Sequence, residues 1–255
     1  MDVRLVALRL DAEDPAVPAA FWAALLGRAA VVEPGSVLLP GDATQVGLRF
    51  VRSAAPKVSQ NPVHLHLTST SLADQQATVA RALYLGGRHV DVGQRPEETH
   101  VVLEDPGGNE LCVIEPGNTY LAGTGFLGEV TCRGTRDVGL FWSAALGWPL
   151  VWDRDEETAV QSPAGGTKLS WGGEPVDPDA PPQRQRLELA TTDDLAGVVD
   201  RLVALGATRV DRGTRVDGAA RVDGAARVDG AATSGAAGSV TLADPDGQEF
   251  LLHRG

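Results

Sequence analysis

The sequence predicts an α+β protein made of four copies of one β-α-β-β-β unit, and three observations carry that reading. Phe21-Trp22-Ala23-Ala24-Leu25-Leu26-Gly27 returns as Phe141-Trp142-Ser143-Ala144-Ala145-Leu146-Gly147, 120 positions later. Val79, Arg81, Leu85, Gly86, Val90, Asp91 and Gly93 return at the same offset as Val199, Arg201, Leu205, Gly206, Val210, Asp211 and Gly213. Two distant segments sharing one offset mark an internal duplication. Each half also closes on one turn, Asp105-Pro106-Gly107-Gly108 in the first and Asp244-Pro245-Asp246-Gly247 in the second. Asp before Pro disfavours helix, Gly supplies a positive φ, and the alternating apolar run that follows reads as a strand.

The first unit opens with a strand over 3–10, Val6, Leu8 and Leu10 on one face and Leu5, Ala7 and Arg9 on the other. Asp14-Pro15 reads as an N-cap followed by Pro in the first turn, and Gly27 as the left-handed end of the helix. Short strands follow near 30–33, 36–39 and 46–52. The plan restarts at Val63-His64-Leu65-His66-Leu67, with a helix over 73–85 and strands near 88–92, 99–104 and 110–114. Residues 1–116 are then one domain of two units, 117–125 a Gly-rich linker, and 126–255 a second domain of two units. In the last unit Asp105 matches Asp244, an offset of 139, so 19 residues have been added. They fall at about 214–238, where Arg-Val-Asp-Gly-Ala-Ala occurs three times. With one large apolar residue in six, such a repeat buries little and reads as an expanded loop.

The composition limits the function classes. A chain of 255 residues, 43% hydrophobic and 22% charged, is globular and long enough for two ordinary domains. A net charge of −12 disfavours nucleic-acid backbones and anionic membranes as partners. Two cysteines make no disulfide framework, and no signal core or membrane-length apolar run is present, so a cytoplasmic location is expected. The sequence has no nucleophile elbow, phosphate-binding Gly loop, Cys-x-x-Cys or His-Glu-x-x-His.

The four units, the Phe-Trp-x-x-x-Leu-Gly helices and the Asp-Pro-x-Gly turns resemble the vicinal oxygen chelate superfamily. Glyoxalase I, extradiol dioxygenases and bleomycin-resistance proteins belong to it. The resemblance implies two cups in tandem, units one and two forming the first and units three and four the second. It further implies a monomer that is an internal pseudo-dimer, or a homodimer. In metal-dependent members a divalent ion sits in the cup, held by side chains of a unit's first and last strands, with open positions for substrate oxygens. By that pattern the first strand of unit one offers Ala7 where a ligand would stand. Unit two offers His64 and His66, with Cys112 in the usual carboxylate position and Glu110 two residues earlier. Any Fe, Mn, Ni or Zn would therefore sit in the first cup, with His64, His66 and Glu110 as candidate ligands. The matching positions of the second cup are Leu127, Arg186 and Leu251, and an Arg there repels a cation.

As ligand-binding residues the sequence offers Arg9, His64, His66, Glu110 and Cys112 for the first cup. Glu129, Trp171, Arg186 and Glu188 are the candidates for the second, Trp171 as an aromatic wall. Cys112 also reads as a small buried hydrophobe, because a reactive thiol needs a lowered pKa. Trp22 and Trp142 read as packing residues. Two functions remain open. One is a small-molecule binding protein of the bleomycin-resistance type, without the full metal set. The other is a metal-dependent lyase or dioxygenase, or a metal-free enzyme using His64 or His66 as a base.

Overall fold

The computed structural model describes residues 2–95, 97–177, 183–210 and 238–255. The repeat insert expected at about 214–238 lies, apart from Gly238, outside the described residues. Unit one comprises β1 (Val3–Ala12), α1 (Ala16–Leu26), β2 (Val31–Glu33), β3 (Ser36–Leu39) and β4 (Gly47–Arg52). Unit two comprises β5 (Val63–Leu67), α2 (Leu72–Tyr84), β6 (Arg88–His89), β7 (Val101–Glu104) and β8 (Glu110–Val113). Unit three has β9 (Leu127–Arg133), α3 (Arg136–Leu146), β10 (Leu150–Arg154), β11 (Glu157–Gln161) and β12 (Lys168–Gly172). Unit four has β13 (Gln185–Thr191), α4 (Leu195–Ala204), β14 (Thr208–Arg209), β15 (Ser239–Ala243) and β16 (Glu249–Arg254). The α+β class and the four units are therefore present. No described helix is long and apolar enough to cross a membrane.

The grouping of units into cups differs from the expectation. The strands form two eight-stranded sheets, ordered β14-β15-β16-β13-β1-β4-β3-β2 and β10-β11-β12-β9-β5-β8-β7-β6. Units one and four thus share the outer sheet, and units two and three share the inner one. The joints are antiparallel pairs of first strands, β1 with β13 and β5 with β9. Those four strands carry the buried Leu8, Leu65, Val130 and Leu189 on one face. Burying that face next to a like strand removes an open edge from each half-sheet.

Each sequence half is instead tied together on the helix side. Trp22 of α1 donates its indole N–H to Asp105 of the unit-two turn at 2.7 Å, and Trp142 of α3 does the same to Asp244 of unit four at 3.1 Å. The Oδ1 of each Asp accepts the main-chain N–H groups of its own turn, Gly107 and Asn109 in one and Asp246 and Gln248 in the other. The two tryptophans read as packing residues are therefore also the clasps between units. A contiguous apolar core, including Leu8, Phe21, Leu65, Val130, Trp142 and Phe250, joins both sheets to the helices.

Local signals are mostly realised where the sequence places them. Gly27 and Gly147 end α1 and α3 at φ 67° and 66°, left-handed values that cost glycine little. The start of α1 is shifted by one residue. Pro15 occupies the cap position without a side-chain bond, while Asp14 accepts the N–H of Ala16 at 3.2 Å.

Candidate functional site

The concave face of the inner sheet gathers side chains from both halves of the chain. Cys112 on β8 is the register partner of His66 on β5, and His66 is the partner of Glu129 on β9. Three adjacent strands thus set a thiol, an imidazole and a carboxylate in one row. A β-bulge follows immediately, between His66 and Leu67, at a joint where bulges commonly re-aim side chains. His66 Nδ1 donates to Glu129 Oε2 at 2.7 Å, and Tyr120 OH donates to Glu129 Oε1 at 2.5 Å. An ionised carboxylate only accepts, so Nδ1 carries the proton and Nε2 is not engaged by Glu129.

The electrostatics follow from this row. Burial raises the Cys112 thiol, but hydrogen bonds and charge from His64 and His66 outweigh it and bring the group down. Burial opposes a charge on His66, yet the bonds to Cys112 and Glu129 raise its pKa. Glu129 is held low against its burial by His66, with smaller contributions from Tyr120 and Ser170. Tyr120 is pushed up by burial and by the Glu129 charge, so its phenol stays a donor.

Two adjoining cavities open on this row. One of about 380 Å³ is bordered by His66, Glu129, Thr131, Ser170, Tyr120 and Trp152, among others. The other, about 310 Å³, is bordered by His64, His66, Cys112, Val102 and His100, and both touch His66 and Ile114. Tyr120 and Trp152 meet edge to face with centroids 5.3 Å apart, and Lys168 Nζ lies 4.0 Å from the Tyr120 ring centre. Tyr120, Trp152, Lys168 and Ser170 were not among the expected site residues. Tyr120 sits in the Gly-rich linker, where a lone aromatic was the available signal.

The outer sheet is different in kind. Arg49 bonds Glu188 at 2.8 Å and also pairs with Glu33. Arg186 bonds Glu249 at 2.7 Å and Asp11 at 3.2 Å, Arg9 reaches Asp11 at 3.3 Å, and His253 meets Glu188 at 3.1 Å. Ion pairs between its own strands thus occupy this face.

Several sequence expectations are corrected here. Arg9 does not join His64 and His66, because β1 pairs with β13 and sets Arg9 opposite Arg186. Glu129 does not join Arg186 and Glu188; it lies across from His66 in the other sheet. Trp171 borders the larger cavity, but its indole stacks on Trp142 at 6.0 Å and 6°, turned to the core as strand alternation from Ser170 requires. Glu110 is buried at the mouth of β8, where Lys57 Nζ (2.6 Å) and Asn61 Nδ2 (2.5 Å) take its oxygens.

Two other cavities lack such chemistry. One of about 730 Å³ follows the linker beside Thr68 and Phe126. One of about 360 Å³ lies between units one and three, where the Asp42 carboxylate is turned to Thr44 and Gln45.

The family model described as a glyoxalase-like domain matches residues 7–114 and again 129–253. The chain belongs to the glyoxalase-like domain family. Among solved structures, glyoxalase I from Zea mays is similar at TM-score 0.63 and 14% identity, covering 99% of this chain and 92% of that one. A proposed dioxygenase from Bacillus subtilis is similar at TM-score 0.55 and 15% identity, covering 98% and 84%. At such identities the likeness shows the fold. No curated protein matches the chain in sequence.

Metal-dependent members of the wider superfamily imply a divalent ion in the cup, and the residues here do not fit one. Among the described residues no three His, Cys, Asp or Glu side chains form a group able to hold a metal. Of the three candidate ligands, Glu110 is bound to Lys57 and Asn61, which leaves His64 and the Nε2 of His66, whose Nδ1 is held by Glu129. Two imidazoles, that of His64 lying 3.2 Å from Gln60, are fewer than the three or more protein donors of a metal centre.

Proposed function

We propose that this glyoxalase-like chain binds a small molecule in the inner cup formed by units two and three. The observation that carries the reading is the pair of adjoining cavities, about 380 and 310 Å³, meeting at His66. Their volumes fall in the range of small-molecule sites, and they combine aromatic walls with a few convergent polar groups. Tyr120 and Trp152 would flank the apolar part of the ligand. Thr131, Ser170 and the His64–His66 pair would take its polar atoms. The ion pairs across the outer sheet support this choice, since opening that face would strand partly buried charges. Relatives in fold named glyoxalase I and dioxygenase make small oxygenated compounds the first class to screen.

The test pairs metal analysis with a ligand screen. Untagged protein purified without chelators, analysed by mass spectrometry, should hold well under one equivalent of Fe, Mn, Ni or Zn. The double variant His64→Ala, His66→Ala should hold the same. Near one equivalent in the wild type, lost in the variant, would overturn the metal-poor reading in favour of a metal-dependent lyase or dioxygenase. A thermal-shift screen of oxygenated small molecules should find compounds that stabilise the wild type, with the shift reduced in Trp152→Ala.

A further inference from the structure

We propose that Cys112 is a nucleophile that adds through its sulfur to the β-carbon of an α,β-unsaturated carbonyl compound in the inner cup, with His66 as its proton carrier and Glu129 as the positioning residue. The inference rests on the small-molecule site proposed above and names its ligand class.

The geometry is that of a nucleophile, a base and an orienting carboxylate. Cys112, His66 and Glu129 are register neighbours on three adjacent strands, so the order thiol–imidazole–carboxylate is built into the sheet. Glu129 fixes His66 through Nδ1 at 2.7 Å, which leaves the other ring nitrogen of the residue paired in register with Cys112 free to take a proton. His64 lies on the same strand face as His66 and borders the same cavity as Cys112. Cys112 is only 5% exposed, and that opening gives onto the 310 Å³ cavity.

The chain supplies its own comparison. Cys132 lies on β9 of the same sheet but on the opposite face, packed in the apolar core, and burial together with Asp244 and Glu129 pushes its thiol up. One cysteine is packed wholly in the main core, and the other, with apolar neighbours beside it, also borders a cavity with two histidines. A thiol needed only for packing would not require that polar cluster, whose burial is costly unless every member is bonded.

Conjugate addition suits this setting better than acyl transfer. Cys112 sits inside a strand paired on both sides, so its main-chain N–H groups serve the ladders and form no oxyanion hole. Val102, Ile114 and Leu121 make the surroundings of the sulfur apolar. In conjugate addition the negative charge moves away from the sulfur, onto a carbonyl oxygen two carbons beyond the bond being made. The step balances without a co-reactant. The sulfur lone pair forms the C–S bond, the C=C π pair moves to give the enolate, and His66 returns the thiol proton to the α-carbon. Loss of the same proton to His66 reverses it.

The charged groups facing the thiol are defined. From β5 come His64 and His66, from β9 Glu129, and from the segment before β7 His100, which lies 3.7 Å from Glu98. Tyr120 and Lys168 act on Glu129 from beyond.

The probe is acrylamide on the intact wild-type protein, followed by intact mass and peptide mapping from pH 5 to 9. A single adduct at Cys112 is expected, with Cys132 unmodified. The rate at pH 6.5 should exceed that of N-acetylcysteine by roughly tenfold, with a midpoint at least about one pH unit below the free-thiol value. In Glu129→Gln the midpoint should move up by about one unit, a shift that loosened packing alone would not produce. An unmodified Cys112 in folded protein, a free-thiol pH profile, or an unmoved midpoint in Glu129→Gln would each overturn the proposal. The thermal-shift screen on the same sample separates the two readings. A cup ligand with an inert Cys112 sinks the nucleophile and keeps the binding site. A reactive Cys112 with no ligand found sinks the binding reading.

Discussion

Glu188 and Trp22 show how single side chains hold this molecule, and each makes a measurable prediction. Glu188 accepts from Arg49 and His253, whose hydrogen bonds and charge hold its pKa below the ordinary value against burial. A depressed carboxylate contributes stability above its unfolded pKa, about 4.3, and loses it as pH falls through the folded value. Glu188→Gln should therefore lower stability by on the order of 2 kcal/mol at pH 6. The deficit should shrink toward zero near pH 3 in urea titrations; a deficit constant with pH would refute the ion-pair account. Trp22→Phe leaves Asp105 without its indole donor in the core and should cost about 1–3 kcal/mol. His64 and His66 stood out in the sequence because alternation put two imidazoles on one face. Glu129 was equally visible, but its partner was not, since nothing in β9 alone says which strand will lie beside it.

At the scale of elements, the strands and helices were legible because each is bounded by turn residues and carries a clear period. The Phe-Trp pairs of α1 and α3 show it, meeting edge to face at 5.5 and 5.3 Å in the two repeats. What the repeat does not predict is fit at a particular contact. Gly139 lies in α3 against β11, and a Cβ there would stand 1.9 Å from Thr158 Oγ1. Alanine is favoured over glycine in a helix by about 1 kcal/mol, yet Gly139→Ala should destabilise by about 1–3 kcal/mol through overpacking. Thermal unfolding decides the matter. A gain in stability would mean that α3 can move off the sheet at no cost.

For the whole molecule, the sequence shows that the halves are duplicates but not which unit completes which sheet. Two consecutive units and two units at opposite ends of the chain present the same first-strand pattern, so both pairings satisfy the local code. Register and shared burial decide it, and only the three-dimensional structure contains them. The arrangement predicts that residues 1–116 and 126–255, made separately and mixed, form a one-to-one complex in native mass spectrometry. Each half brings the edges β1 and β5, or β9 and β13, that the other completes.

The pairing of β1 with β13 also dictates an order of events during synthesis. The inner sheet has all of its strands once Gly172 has left the ribosome, while β1, already beside β4, still lacks β13 on its other edge. The outer sheet cannot close until Gln185 and later residues emerge, so the first strand made waits for nearly the last. Closing so long a loop comes late and slowly. A nascent chain therefore carries an open β1 edge for most of its time on the ribosome, the exposure that chaperones of newly made proteins recognise.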